Sequence, residues 1–543
     1  MPTIQFKGKS FVENHHLAVP YHQLVPQKAK SLTDKVSLHD NLIVHGDNLL
    51  ALKALLPTYA GKVKCIYIDP PYNTGNEGWV YNDKVNSPLI KEWIGKVVGK
   101  EGEDFTRHDK WLCMMMPRLK LLKELLSDSG VIFISIDDKE LANLKLLMDE
   151  VYGDKNFVGL ITVAKGTTTG QDANKIGSST DYLLFYSKNI GQFLVGGMAM
   201  TEKDAKRFSK TDQRGQYSIL QLRKTGSGDR REDRPNLFYQ ISAPDGSTVV
   251  PIGPGGYESR WRAGKTQYQA WQSEGLIEWV KNDKGWTPYV KYYLAGRLKQ
   301  VASLWDEVEG NKKATIDLKN IFDGKAPFDF PKPVGLIKNV LTVAGCKNND
   351  IILDSFAGSG TTAQAVMELN KEDGGNRKFI LVEMEDYADK ITAERVRRVI
   401  NKETSENELI KPDYKGSFSY FDLGDAIETE AILKGDKLPS YLELARYVYY
   451  TATGDEFDES KLNESKHFVG SSSHYDVYML YKPDLEYLKQ TALTLNMARE
   501  LRDKEGTKPL LVFAPTKYVE MGELEELKID FCQLPFEIYK VNK

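Results

Sequence analysis

The run Lys64-Cys65-Ile66-Tyr67-Ile68-Asp69-Pro70-Pro71-Tyr72 ends an apolar stretch on a carboxylate, two prolines and an aromatic ring. Ile66 to Ile68 have the β-branched and aromatic composition of a buried strand. Two successive prolines remove backbone donors and hold φ near its extended value, so the strand must stop at Asp69. The Asp69 carboxylate and the Pro70 carbonyl are then acceptors pointing out of a sheet edge, beside the ring of Tyr72. That set suits holding an exocyclic NH2 by both hydrogens while a planar base stacks on the ring. The plainer alternative is a strand-to-turn stop signal.

A second segment with chemical content lies far downstream. Ile351-Ile352-Leu353-Asp354-Ser355-Phe356-Ala357-Gly358-Ser359-Gly360-Thr361-Thr362-Ala363 reads as strand, glycine-rich turn and helix start. Glycines let backbone approach a ligand closely, and the N–H groups at a helix start favour carboxylate or phosphate oxygens. Gly358 to Ala363 also fit the dinucleotide pattern G-x-G-x-x-A, and Glu383, closing the strand Phe379-Ile380-Leu381-Val382, is near the right spacing to hold ribose hydroxyls. A phosphate loop is disfavoured because no Lys follows the second glycine. On residues alone the loop fits a nicotinamide dinucleotide or another adenosine-bearing cofactor.

The elements that must position these groups are readable in outline. Leu42 to Asn48 read as a strand, with Asp47 near its end either capping the next helix or accepting from an adenine amino group. Leu49 to Leu56 carry helical spacing that Pro57 should stop. Trp111 to Leu126 read as a buried helix ended by Ser127-Asp128-Ser129-Gly130, and Val131 to Ile136 as a strand. Leu141 to Val151 form an amphipathic helix, Phe157 to Val163 and Tyr182 to Tyr186 two more strands, and Tyr387 to Arg398 a later helix. Strands alternating with helices predict βαβ units and a mostly parallel, doubly wound α/β sheet, with functional groups lining its strand ends.

Composition sets wider bounds. At 543 residues, 41% hydrophobic and 27% charged, the chain is expected to be a soluble globular protein of two or three domains. No run of about 18 apolar residues and no signal-like N-terminus occurs, so a cytoplasmic location without membrane contact is expected. Cys65, Cys113, Cys346 and Cys532 are scattered without C-x-x-C pairing, and His15-His16 lack further ligands at metal spacing. No metal site is expected. A net charge of −3 argues against a wholly polyanion-binding molecule, although a local basic face would suffice for nucleic acid.

Asp69-Pro70-Pro71-Tyr72 resembles the catalytic motif of S-adenosylmethionine-dependent DNA amino-methyltransferases, in the Asp form of the adenine-N6 enzymes. Asp354-x-Phe356-x-Gly358-Ser359-Gly360-Thr361 resembles their cofactor loop, Phe330-Pro331-Lys332-Pro333 the segment reaching the methionine end of the cofactor, and Gly46-Asp47-Asn48-Leu49 the adenine-contacting segment. The resemblance implies that Asp69, Pro70, Pro71 and Tyr72 are catalytic. It implies that Asp47, Lys332, Asp354, Phe356, Gly358, Ser359, Gly360, Thr361 and Glu383 bind S-adenosylmethionine. Catalytic motif first and cofactor loop last is the permuted order of the beta class.

Between the halves, a Gly/Thr/Ser-rich stretch, basic residues Arg223, Lys224, Arg230 and Arg231, and aromatics from Tyr257 to Trp286 interrupt the βαβ rhythm. They suit contacts to DNA phosphates and base edges, although Asp229, Glu232 and Asp233 partly cancel the basic cluster and would suit a solvated insertion. Arg234-Pro235-Asn236-Leu237-Phe238-Tyr239 and Trp261-Arg262 resemble segments of type III restriction-modification Mod subunits. The expected organisation is an N-terminal arm (1–40), a catalytic half (41–164), a target-recognition region (165–328), a cofactor half (329–400) and a small α/β C-terminal domain (401–543). The resemblance implies methyl transfer to adenine N6 in double-stranded DNA, as a homodimer with a helicase-nuclease restriction subunit. A solitary methyltransferase and an inactive recognition subunit are the alternatives. Cytosine-C5 chemistry is disfavoured because none of the cysteines follows a proline.

Overall fold

The computed structural model describes residues 3–73, 107–165, 177–283, 285–308, 310–401, 416–427, 438–455, 457–503 and 508–534. The chain divides into two compact units, Met1–Gly196 with Ala302–Lys543, and Gly197–Val301.

The first unit is built on a ten-stranded sheet. In chain order its strands are β1 (His22–Pro26), β2 (Leu42–His45), β3 (Val63–Ile68), β4 (Leu126–Ile136), β5 (Phe157–Ala164), β6 (Thr180–Ser187), β7 (Leu304–Trp305), β8 (Ile351–Asp354), β9 (Lys378–Glu383) and β10 (Ser419–Ala426). Across the sheet they lie in the order β1-β10-β2-β9-β8-β3-β4-β6-β5-β7. From β10 to β4 all neighbours are parallel, while β6 runs against both β4 and β5 and β1 against β10. Leu42, Ile43, Val44, Val63, Cys65, Ile66, Ile68, Ile352 and Leu353 are wholly buried, as strands covered on both faces require. Each buried Val, Leu or Ile contributes roughly 1.5–3 kcal/mol to holding the sheet.

Helices α1 (Asn48–Tyr59), α2 (Arg107–Leu125) and α3 (Leu141–Tyr152) pack in succession, and α4 (Val334–Val343) packs on α5 (Thr361–Asp373). From β3 the chain passes to β4 on one side, whereas from β8 it passes to β9 on the other. The order therefore reverses between β3 and β8, and the crevice outside the strand ends at such a reversal is where open α/β sheets take ligands.

Several local expectations differ from what is observed. Pro57 does not stop α1, which continues to Tyr59; only one backbone bond is forgone near the helix end, while Tyr59 is buried and donates its hydroxyl to Leu38 O. Ser127 to Gly130 do not form a separate loop but an irregularity inside β4, across which the pairing jumps from Val63↔Leu126 to Cys65↔Val131. The expected helix after Tyr387 opens with a π-helical stretch, Ala388–Ala393, before α6 (Glu394–Asn401). The pattern from Leu485 to Leu501 reads as helical in the sequence, but the chain forms two helices there, Leu485–Gln490 and Leu495–Asp503, separated by the short strand Leu493–Thr494.

Within residues 1–40, β1 pairs with β10 through Pro26↔Phe421, and His15 and His16 are buried on a short helix. Toward the C-terminus, strands Phe468–Ser471, Asp476–Met479, Leu510–Ala514 and Ile529–Gln533 form a second sheet. The other unit, Gly197–Val301, holds a four-stranded antiparallel sheet of Ile277–Asn282, Gly285–Tyr293, Gly215–Gln221 and Lys210–Asp212, with a core of Leu222, Ile241, Trp261, Tyr268 and Val290. Its chain ends pair with each other through Leu298↔Ala199.

Candidate active site

At the reversal point a cavity of about 460 Å³ opens outside the ends of β3, β8 and β9, within the size range of sites for cofactors and small ligands. Asp69, Pro70, Pro71 and Tyr72 form one wall, and Asp354, Phe356, Gly358, Ser359, Thr361 and Glu383 another. Segments nearly three hundred residues apart meet because β3 and β8 are neighbours, with Leu353 opposite Ile66.

Asp69 follows the last residue of β3, and the turn after it is fixed by the Trp111 indole N–H, which donates to Pro71 O over 2.7 Å. Asp69 Oδ2 is 2.5 Å from the Lys332 ammonium, whereas Oδ1 is buried without a hydrogen-bond partner among the described residues. A buried carboxylate oxygen with no partner costs free energy unless a ligand satisfies it. Lys332 also stands 4.9 Å from the centre of the Tyr72 ring. Burial and the nearby Asp69 charge push the Tyr72 phenol well above its ordinary value, so the ring is a neutral stacking surface. Asn73, in the left-handed region at φ 56, is held by the wholly buried Glu140, which His108 Nδ1 also meets at 2.6 Å.

The glycine loop is clamped by its surroundings. Glu383 accepts from Gly358 N–H at 2.8 Å through one oxygen and from Glu385 N–H at 3.0 Å through the other. Thr392, from the π-helical stretch, donates its hydroxyl to Gly358 O at 2.6 Å. Buried Arg395 donates to the Ser359 and Thr361 hydroxyls, both at 2.8 Å. A Cβ on Gly358, whose φ is 51, would lie 3.0 Å from the Phe328 ring. Gly360 has a φ of 81, and a Cβ there would lie 3.0 Å from Thr392 O. Both positions therefore need glycine. Asp354 accepts from Phe356 N–H and the Thr362 hydroxyl. Burial pushes the Asp354 and Glu383 carboxyls up to about 7.

These residues fit an adenosine-bearing sulfonium donor. Glu383 has lone pairs left for two vicinal hydroxyls, Phe328 and Phe356 offer apolar surface, and Lys332 is a cation for a carboxylate. Gly360 supports the loop without lining the cavity, and Asp47 does not line it either. Asp47 caps α1, accepting from Leu49 N–H and Leu50 N–H, and pairs with Arg118. Sequence reasoning missed Lys165, Asp181, Phe328, Asp329 and Tyr387 in the wall, and Arg395 behind it. Lys165 and Asp181 form a 2.6 Å ion pair in which burial pushes the carboxyl up. The visible signal for Asp181 was an acid placed directly before the apolar run Tyr182 to Tyr186.

Arg223, Lys224, Arg230 and Arg231 belong to the unit Gly197–Val301. Arg223 meets Asp229 at 3.5 Å, Lys224 donates to Thr225 O, Arg230 stacks over Tyr257, and Arg231 pairs with Glu258 at 2.7 Å while covering Phe238. The same unit has an open groove of about 500 Å³ lined by Trp271, Lys291, Tyr292, Tyr293 and Arg297 among others.

A family described as DNA methylase matches residues 63–394. The chain is 31% identical over 478 residues to the type III restriction-modification enzyme EcoPI Mod subunit of Escherichia phage P1, covering 79% of this chain and 73% of that protein. It is 32% identical over 438 residues to the StyLTI Mod subunit of Salmonella typhimurium, covering 76% of this chain and 64% of that protein. It is 36% identical over 355 residues to the type II methyltransferase M.KpnI of Klebsiella pneumoniae, covering 62% of this chain and 79% of that protein.

Proposed function

The chain belongs to the DNA methylase family, and from that premise we propose that it methylates the N6 amino group of adenine in double-stranded DNA. The observation that carries the reading is the Asp69 carboxylate facing the clamped glycine loop across one cavity. S-adenosylmethionine supplies an electrophilic methyl group when bound. Glu383 would hold its ribose hydroxyls, the Gly358 to Thr361 loop would pack along it, and Lys332 would meet its carboxylate. The target adenine leaves the duplex at a cost of a few kcal/mol and stacks on Tyr72. Asp69 and Pro70 O accept its two amino hydrogens, aiming the nitrogen lone pair at the methyl group. The Asp69 charge then stabilises positive charge growing on nitrogen, so that rate comes from positioning and electrostatics. The choice of adenine over cytosine N4 is supported by the Asp at the head of the motif.

Arg223, Lys224, Arg230 and Arg231 meet DNA phosphates in this reading, and Gly197–Val301 forms the compact part of the target-recognition region. Likeness to the EcoPI and StyLTI Mod subunits supports a type III modification subunit with a restriction partner, which in this reading acts as a cytoplasmic homodimer. No helix among the described residues is long and apolar enough to cross a membrane. Likeness to M.KpnI favours a second reading, a methyltransferase without such a partner, and co-purification separates the two. The chemistry is tested by incubating the protein with labelled S-adenosylmethionine and unmethylated plasmid DNA, then analysing nucleosides. Labelled N6-methyladenine is expected. N4-methylcytosine would overturn the base assignment, and no labelled nucleoside would overturn the enzyme assignment.

A further inference from the structure

The Lys332 ammonium occupies both places that the target base needs. It lies on the Asp69 carboxylate at 2.5 Å and over the Tyr72 ring at 4.9 Å. An ammonium is a compact donor of hydrogen bonds and so a good stand-in for an amino group. It cannot remain there while a base is methylated, because it would block the acceptor and repel the positive charge that grows on the amino nitrogen. The backbone offers little movement at this point, since Pro331 and Pro333 flank Lys332 and restrict it. The flexible side chain must be what moves.

Three of the other carboxylates of the cavity wall already have partners, while Asp329, three residues before Lys332, also lines it. Asp181 is paired with Lys165, Asp354 is engaged by Phe356 N–H and the Thr362 hydroxyl, and Glu383 by Gly358 N–H and Glu385 N–H. S-adenosylmethionine brings a carboxylate of its own, a few bonds from the sulfonium. When its methyl group is within reach of an amine on Asp69, that carboxylate is within reach of a lysine side chain rooted beside Asp69.

We infer, resting on the function proposed above, that Lys332 exchanges between Asp69 and the carboxylate of the methyl donor, so that donor binding frees the acceptor that grips the target base. Lys332 thereby couples the two ligands, each tightening the other. Coupling of this kind is reciprocal, so it can be read from either ligand.

The test uses the full chain and a duplex containing the base that wild-type protein methylates in plasmid DNA. S-adenosylhomocysteine, which keeps the carboxylate and cannot react, is titrated by calorimetry with and without that duplex. In wild type the duplex is expected to tighten S-adenosylhomocysteine by about tenfold, within the usual span of coupling between sites. In Lys332→Met the ratio should fall to about one, whatever the absolute affinities, and Lys332→Arg, which retains a cation, should restore most of it. A ratio in Lys332→Met equal to that of wild type, or a wild-type ratio of one in a protein that methylates the duplex, overturns the exchange. Wild type that methylates no DNA removes the functional reading, and this inference with it.

Discussion

Replacing Glu383 by Gln tests the donor site through hydrogen-bond polarity. Each Glu383 oxygen accepts one backbone N–H, from Gly358 at 2.8 Å and from Glu385 at 3.0 Å. An amide of the same shape has only one acceptor oxygen, so its NH2 must face either a backbone N–H or a ribose hydroxyl that needs an acceptor. Losing one charge-assisted hydrogen bond costs about 1.5–3 kcal/mol, which weakens the donor by roughly 10- to 100-fold. The titration adds an independent signature. Burial raises this carboxyl to about 7, and two hydroxyl donors favour its charged form. Wild-type affinity for S-adenosylhomocysteine should therefore climb between about pH 5.5 and 8.5, while that of Glu383→Gln stays flat. Calorimetry across that range measures both. Equal affinities at pH 8.5, or parallel pH profiles, would refute the assignment of Glu383 to the ribose.

Asp69→Ala should bind S-adenosylhomocysteine at least as tightly as wild type and lower methyl transfer by at least about 10²-fold, the scale for removing one electrostatic stabiliser; near-normal transfer removes Asp69 from catalysis. Asp354 and Glu383 titrate near 7 in the folded chain and near 4 when unfolded, so the folded state holds more protons between those values and stability falls as pH rises through the window. Buried His16, lowered to about 4, acts in the opposite sense. The melting temperature of Glu383→Gln should accordingly gain on wild type from pH 5 to 8, and a constant difference would contradict the buried-carboxyl account. Arg230 and Arg231 replaced together by Ala should weaken DNA binding on all sequences and flatten its log-log salt slope by about two, with S-adenosylhomocysteine affinity unchanged. An unaltered slope and affinity would leave the arginines to their contacts with Tyr257 and Glu258.

What could be read directly was punctuation. Two prolines after Ile68 end β3 whatever surrounds it, and Gly358 and Gly360 mark backbone that no side chain tolerates, so the two walls of the cavity were visible before any fold was known. Support arriving from elsewhere in the fold was not visible. Arg395 resembles a solvated base on an amphipathic helix, yet the π-helical turn before it directs it inward to the Ser359 and Thr361 hydroxyls. Asp47 carried two meanings in the sequence, a cap or an adenine acceptor, and the α1 amides and Arg118 hold it as a cap. Pro57 was misleading for the opposite reason, because burial around it outweighs one missing backbone bond.

The pairing of β3 with β8 has an evolutionary consequence. Neighbouring strands are held about 4.8 Å apart by their backbones, so the interval between the Asp69 carboxylate and the Gly358 to Thr361 loop is set by main-chain geometry and is largely indifferent to side-chain identity. The unit Gly197–Val301, which falls between these strands in the chain, supplies no strand to that pairing. If that unit reads the target as proposed, it can lengthen, shorten or drift in sequence while β3 and β8 keep their spacing, so that a lineage could change what it marks without relearning how to mark it.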